Sequence, residues 1–181
     1  MKNLSAVLWS HIRTVQNFPK PGICFYDLTP LFMSNIGPLA DALIASIPEE
    51  QLAEVESFVA VEARGFVLAS LLAQRLNKGL LLVRKAGKLP PPVVGVGYSL
   101  EYGVDRLEIA ANIQPQKVII VDDVLATGGT LKAVKQLMDK CHHHVLGASI
   151  FLDLPTLHKD LGFKVWTVLE ESSKPVEAAV A

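Results

Sequence analysis

The chain has 181 residues, 50% hydrophobic and 19% charged, which supplies the apolar surface for one packed domain and excludes disorder as its general state. Seventeen Lys and Arg against 18 Asp and Glu give a net charge of -1, without the basic excess of a duplex-binding protein, while a local basic cluster can still hold a small anion. Cys24 and Cys141 are too few for a secreted disulfide scaffold, no apolar run nears the ~20 residues of a membrane span, and residues 1–13 lack a signal-peptide layout. The expectation is a cytoplasmic protein with no nucleic-acid or membrane partner.

Leu4, Val7, Leu8, Ile12 and Val15 recur at helical spacing and predict an amphipathic N-terminal helix. Residues 18–30, with Pro19, Pro21, Gly22 and Pro30, read as an ordered, partly apolar loop. A second helix is expected over 38–47, a buried strand over 57–62, a helix over 66–76 and another buried strand over 80–83. Val118 to Val121 is the clearest strand, and a helix over 130–138 follows it. Strands over 145–152 and 164–168 complete the pattern, and the small-residue tail 172–181 is expected to be poorly ordered. The strands are continuously apolar and alternate with helices. This predicts an α/β fold with a mostly parallel twisted sheet flanked by helices. Ligands of such sheets sit beyond the carboxyl ends of the strands.

The most informative stretch is VIIVDDVLATGGT, from Val118 to Thr130. An apolar strand ends in Asp122 and Asp123. A turn of Ala126, Thr127, Gly128, Gly129 and Thr130 then enters a helix, where inward-pointing N–H groups and the helix N-terminus suit a phosphate. No Gly-Lys-Ser/Thr follows the glycines, so this is not a Walker loop. Two adjacent carboxylates beside a phosphate cradle are costly unless hydroxyls or a cation lie between them, and a sugar diol or a divalent metal fits. The alternative of an ordinary strand-turn-helix with solvated Asp does not account for so many such groups in one run. The run resembles the phosphoribosyl pyrophosphate (PRPP) signature of type I phosphoribosyltransferases.

Further segments narrow the resemblance. Glu62-Ala63-Arg64-Gly65-Phe66 leaves one strand end, and Arg84-Lys85-Ala86-Gly87-Lys88-Leu89-Pro90 leaves another. Tyr98-Ser99-Leu100-Glu101-Tyr102-Gly103 follows, and Phe18-Pro19-Lys20-Pro21-Gly22-Ile23 with Asp27 lies upstream. Together, over about residues 15–157, these are similar to the adenine phosphoribosyltransferase family. The resemblance implies transfer of the phosphoribosyl group of PRPP to adenine, giving AMP and pyrophosphate. It implies one domain over 1–181, with 1–32 as an N-terminal helix and base-binding hood, and a homodimer. By the same resemblance Ala126, Thr127, Gly128, Gly129 and Thr130 hold the 5-phosphate, and Asp122 and Asp123 the ribose. Ala63, Arg64, Lys85 and Lys88 meet pyrophosphate. The Cys24 carbonyl and the Tyr26 amide read adenine, with Phe25, Arg64 and Leu154 around it.

Glu101, Arg64 and Lys85 are the implied catalytic set, with Glu101 handling the proton. Residues 86–104 are read as a mobile lid hairpin carrying Tyr102. Magnesium is implied with PRPP and pyrophosphate, with no direct protein ligand. The family has Arg where this chain has Tyr26, and often Gly-Arg where it has His158-Lys159. His142, His143 and His144 are consecutive and cannot all converge on one metal from a regular element. A non-enzymatic PRPP sensor would need a DNA-binding module for which the chain has no room. A transferase for another base conflicts with the hood segment.

Overall fold

The computed structural model describes residues 2–100 and 103–175. In chain order the elements are α1 (Lys2–Ser10), β1 (Arg13–Gln16), β2 (Cys24–Asp27), α2 (Thr29–Ser34), α3 (Ile36–Ser46), α4 (Glu49–Glu54), β3 (Ser57–Val61), α5 (Arg64–Leu76), β4 (Gly79–Lys85), β5 (Val93–Leu100), β6 (Gly103–Ala110), β7 (Lys117–Leu125), α6 (Gly129–Lys140), β8 (His144–Asp153) and β9 (Val165–Glu170). Seven strands form one sheet in the order β5-β6-β4-β3-β7-β8-β9. Strands β4, β3, β7, β8 and β9 run parallel, and β6 joins β4 antiparallel through Arg84 opposite Glu108 and Lys85 opposite Leu107. The α/β class and the mostly parallel sheet are as expected.

The central strands are apolar on both faces because each face has its own core. Side chains alternate across a strand. Phe58, Ala60, Ile119 and Val121 therefore face the core that takes Leu68 and Leu72 of α5 and Leu39 and Leu43 of α3. Val59, Val61, Val118 and Ile120 face the core that takes Leu131, Val134, Leu137 and Met138 of α6. The 3.6-residue period of those leucines keeps each helix on its side of the sheet. Each fully buried leucine contributes about 1.5–3 kcal/mol of apolar burial.

Several boundaries differ from the sequence reading. The first helix stops at Ser10; Ile12 lies beyond its end and Val15 sits in β1. Residues 18–30 are not all loop, because β2 pairs antiparallel with β1, Arg13 opposite Asp27 and Gln16 opposite Cys24. Pro30 sits in the first turn of α2, where a missing N–H costs nothing. The helices α2 and α4, of 6 residues each, are too short to show a period. Strand β7 does not end at the aspartates but runs through them to Leu125. The segment 86–104 holds β5 and the start of β6, paired from Val93 opposite Ala110 to Leu100 opposite Gly103. The tail is placed as far as Pro175: the Trp9 indole donates to Ser173 Oγ at 3.1 Å and Lys174 Nζ to Thr14 Oγ1 at 3.0 Å. Glu101, Tyr102 and residues 176–181 lie outside the described residues.

Candidate functional site

The carboxyl ends of β3, β4 and β7 lie side by side, so the segments that leave them converge. Glu62 and Ala63 link β3 to α5, and Ala126 to Gly128 link β7 to α6. Two glycines make the convergence possible. A Cβ on Gly65 would stand 2.8 Å from the Val121 carbonyl and 3.1 Å from Asp122 Oδ1, so only glycine lets the start of α5 press against β7. Gly128 has φ +77°, in the left-handed region, and turns the chain into α6.

A polar cavity of about 310 Å³ opens there, lined by Glu62, Ala63, Arg64, Lys85, Tyr98, Asp122, Asp123 and Thr130. Its carboxylates are balanced unequally. Asp123 is 6% exposed, and its Oδ2 lies 2.6 Å from Arg64 Nε. Burial, and then the neighbouring charge of Asp123, push the Asp122 carboxyl well above the usual carboxylate range. Glu62 Oε2 accepts the Lys85 backbone N–H at 3.0 Å and Arg84 Nε at 3.3 Å. Those donors, the Lys85 amide first, hold the Glu62 carboxyl below its ordinary value. Lys85 Nζ lies 3.2 Å from Asp105 Oδ2, a contact that raises the Lys85 ammonium. The cavity can thus receive an anion at Lys85 and Arg64 and hydroxyl donors at the aspartates.

A second cavity, about 280 Å³, is mainly apolar and is lined by Ile23, Cys24, Phe25, Tyr26, Arg64, Asp123, Val124, Ala126, Leu154 and Leu157. The Arg64 guanidinium carbon lies 5.1 Å from the Phe25 ring centre, and Phe18 meets Phe25 edge-on, also with 5.1 Å between centres. Arg64 Nη1 donates to the Tyr26 carbonyl at 3.2 Å. Ile23 to Asp27 is therefore not the irregular segment anticipated: one edge of β2 is committed to β1, and the Tyr26 carbonyl faces the other edge. In an antiparallel pair a residue's N–H and C=O share one edge and alternate with its neighbour's. The Tyr26 amide and the Cys24 carbonyl accordingly lie on the edge that faces Arg64. The Tyr26 side chain goes elsewhere. It is buried edge-on to Trp9 with its hydroxyl donating to Glu171, and burial, then Glu171, push that hydroxyl far above its ordinary value.

Of the anticipated residues, Ala63, Arg64, Lys85, Asp122, Asp123 and Thr130 line the polar cavity, and Cys24, Phe25, Tyr26, Arg64 and Leu154 the apolar one. Ala126 lines the apolar cavity, while Thr127, Gly128 and Gly129 form the adjoining turn and helix start. Lys88 lines neither cavity. The turn after β4 fixes its backbone, with its amide on the Lys85 carbonyl at 3.3 Å and its carbonyl on Arg84 Nη1 at 3.2 Å, and its charge acts on Glu62 at the cavity wall. Glu101 and Tyr102 fall outside the described residues. Glu62, as a carboxylate anchoring the Lys85 backbone, and Asp105 were not anticipated. The β5–β6 register, which brings Asp105 opposite Tyr98, is the signal that finds the latter. A larger cavity of about 610 Å³, between α1, β1 and residues 174–175, includes none of the anticipated site residues.

Comparison with known proteins gives concordant results. The model of the phosphoribosyl transferase domain family matches residues 29–180. An adenine phosphoribosyltransferase of Mycolicibacterium smegmatis is 46% identical over 161 residues, covering 85% of this chain and 86% of that protein. The solved adenine phosphoribosyltransferase of Rhodothermus marinus is 36% identical with a TM-score of 0.84, covering 94% of this chain and 99% of that one. That of Saccharomyces cerevisiae, complexed with an imino-altritol bisphosphate and adenine, is 33% identical with a TM-score of 0.86, over 93% of this chain and 100% of that one.

Proposed function

Since the chain belongs to the adenine phosphoribosyltransferase family, we propose that it is the purine-salvage enzyme that transfers the 5-phosphoribosyl group of PRPP to adenine, releasing AMP and pyrophosphate. The observation that carries this reading is the pairing of two cavities through Arg64 and Asp123, which line both. A charged half beside an apolar half, sharing a wall, suits a pyrophosphorylated sugar in line with a planar base.

That geometry supports a displacement at the anomeric carbon. The adenine N9–ribose bond forms as the bond from the anomeric carbon to pyrophosphate oxygen breaks, through a cationic, oxocarbenium-like state. Asp122 and Asp123 accept from the ribose hydroxyls and place negative charge beside that cation. Lys85 and Arg64 meet the leaving pyrophosphate, with Ala63 and Lys88 in the same loops. Ala126, Thr127, Gly128, Gly129 and Thr130 cradle the 5-phosphate through N–H groups and hydroxyls. The Cys24 carbonyl accepts from the adenine amine, the Tyr26 amide donates to a ring nitrogen, and Phe25 and Leu154 cover the ring. Glu101, the proton-handling residue that the resemblance implies, would take the N9 proton.

Magnesium would neutralise charge on the substrate's pyrophosphate. The residues present fit an ion carried mainly by substrate oxygens, because Asp123 is already paired with Arg64 and Glu62 is held by Arg84 and the Lys85 amide. The rest of the reading is one domain over 1–181 with residues 1–32 as the hood, a mobile β5–β6 lid bearing Tyr102, a homodimer and a cytoplasmic location. Among the described residues no helix is long and apolar enough to cross a membrane. The test is incubation with PRPP, magnesium and each common nucleobase, followed by nucleotide detection. AMP from adenine alone is the expected result; nucleotide from another base at equal rate, or from none, overturns it.

A further inference from the structure

Two polar side chains of the hairpin stand at the polar cavity: Tyr98 lines it, and Asp105 contacts Lys85, which also lines it. Tyr98 of β5 and Asp105 of β6 are directly opposed in the ladder, so they stand on one face. Asp105 reaches Lys85 Nζ with Oδ2 at 3.2 Å, while its Oδ1 accepts the Arg106 backbone N–H at 2.8 Å, which fixes the carboxylate. The Tyr98 hydroxyl sits against the Asp105 carboxylate and against the Thr130 hydroxyl. The hairpin thus holds one group from the end of β4 and one from the start of α6. Both are groups assigned above to PRPP.

We propose that Asp105, with Tyr98, is a positioning residue that holds the Lys85 ammonium over the cavity as an internal counter-anion, and that the pyrophosphate of PRPP displaces it. This rests on the reading of the cavity as a PRPP site. Asp105 and the pyrophosphate compete for the one Lys85 ammonium, because the carboxylate beside it offsets its charge and repels a second anion. Binding therefore requires that the substrate win Lys85 from Asp105. Both side chains keep some solvent exposure, 56% and 23%, so the pair is weak enough to be exchanged. The hairpin is released from Lys85 in the same step, which couples its position to the occupancy of the cavity.

The test is calorimetric titration of PRPP, with magnesium present, into the natural chain, Asp105→Asn, Lys85→Ala and the double variant. Freeing Lys85 should tighten PRPP binding about three- to fivefold in Asp105→Asn, the scale of a partly exposed ion pair. Lys85→Ala should weaken binding, and Asp105→Asn added to it should change nothing further. Tyr98→Phe, which keeps the charge but loses the hydroxyl contacts, should tighten binding by a smaller factor and serves if the asparagine variant does not fold. In steady state the KM for PRPP should fall in Asp105→Asn while kcat does not rise. Weaker or unchanged binding in folded Asp105→Asn overturns the proposal, as does a gain that survives the loss of Lys85. No PRPP binding by the natural chain would instead overturn the reading of the cavity, and the proposal with it.

Discussion

The two cavities that meet at Arg64 are built in opposite ways. The polar one is assembled at the ends of parallel strands that are neighbours in the sheet, and its key carboxylates are consecutive in the chain. The apolar one joins a β-hairpin near residue 25 to the segment after β8 near residue 154, parts of the chain more than a hundred residues apart. Each therefore fails in its own way. The polar cavity depends on close backbone approach and on charge balance, so single-atom intrusions damage it. On the reading proposed above, the apolar cavity would read its ligand through the main chain of β2, so side-chain changes there should act on stability before they act on choice of base.

The largest expected effect comes from Gly65→Ala. The new methyl would stand 2.8 Å from the Val121 carbonyl, a backbone atom that cannot step aside. The start of α5 must move, carrying Arg64 with it. A displacement of about 1 Å at such a site costs on the order of a hundredfold in kcat/KM, and over-packing costs about 1–3 kcal/mol of stability. Steady-state kinetics and a denaturant titration check both; near-natural kcat/KM would show that the close approach is not needed.

Arg64→Lys comes next. A lysine keeps the charge but cannot at once pair with Asp123, bond the Tyr26 carbonyl and lie over Phe25. Because Arg64 lines both cavities, KM should rise for adenine and for PRPP together, by roughly tenfold each, the size of one charge-assisted hydrogen bond. A rise confined to one substrate would show that the cavities are less joined than their shared wall implies.

The same contrast governs what could be seen in the sequence. The Asp122-Asp123 pair and its glycine turn are legible because strand, acid pair and turn are contiguous, and each has a local physical reason. The sheet is legible because strands buried on both faces are continuously apolar. Strand β1 was hidden, since Val15 continues a helical spacing that begins at Leu4 and only pairing with β2 turns it to strand. Asp105 was hidden because its partner, Lys85, is reached only through the antiparallel pairing of β6 on β4, with Lys85 opposite Leu107. Lys88 resembles Lys85 in sequence, but a tight turn separates them, and only Lys85 lines the polar cavity.

The charge balance of the polar cavity has its own signature in pH. The folded-state pKa of Asp122 is raised, by burial first and by Asp123 second. The carboxyl therefore favours the fold fully below its unfolded value of about 3.9, and that contribution is lost as pH rises through the raised folded value. Asp122→Asn cannot titrate. Its thermal midpoint should exceed that of the natural chain at neutral pH, and the excess should vanish in acid. PRPP affinity should fall in the same variant, because asparagine presents one acceptor where the carboxylate presents two. A midpoint difference that is constant across pH would mean that Asp122 is not the group under strain.

The smallest expected effect on function belongs to Tyr26→Phe, and it tests the main-chain reading most directly. The Tyr26 side chain is buried against Trp9, and its hydroxyl donates to Glu171. Removing the hydroxyl leaves the Glu171 carboxylate without that donor, at a cost of about 1–3 kcal/mol of stability. The Tyr26 carbonyl, held by Arg64, and the amide on the same edge of β2 are untouched. On the proposed reading, a main-chain carbonyl at Cys24 would accept from the 6-amine of adenine and would face the 6-oxygen of hypoxanthine as a second acceptor. Sites that leave such a buried group unpaired reject the wrong partner by several orders of magnitude. The ratio of kcat/KM for adenine over hypoxanthine should therefore stay within about twofold of the natural chain's, well under the ~1.4 kcal/mol that a tenfold change would represent. Tyr26→Arg, which restores the residue usual in the family, should leave that ratio high as well. A tenfold or larger change of the ratio in either variant would show that the side chain at position 26, and not the edge of β2, selects the base.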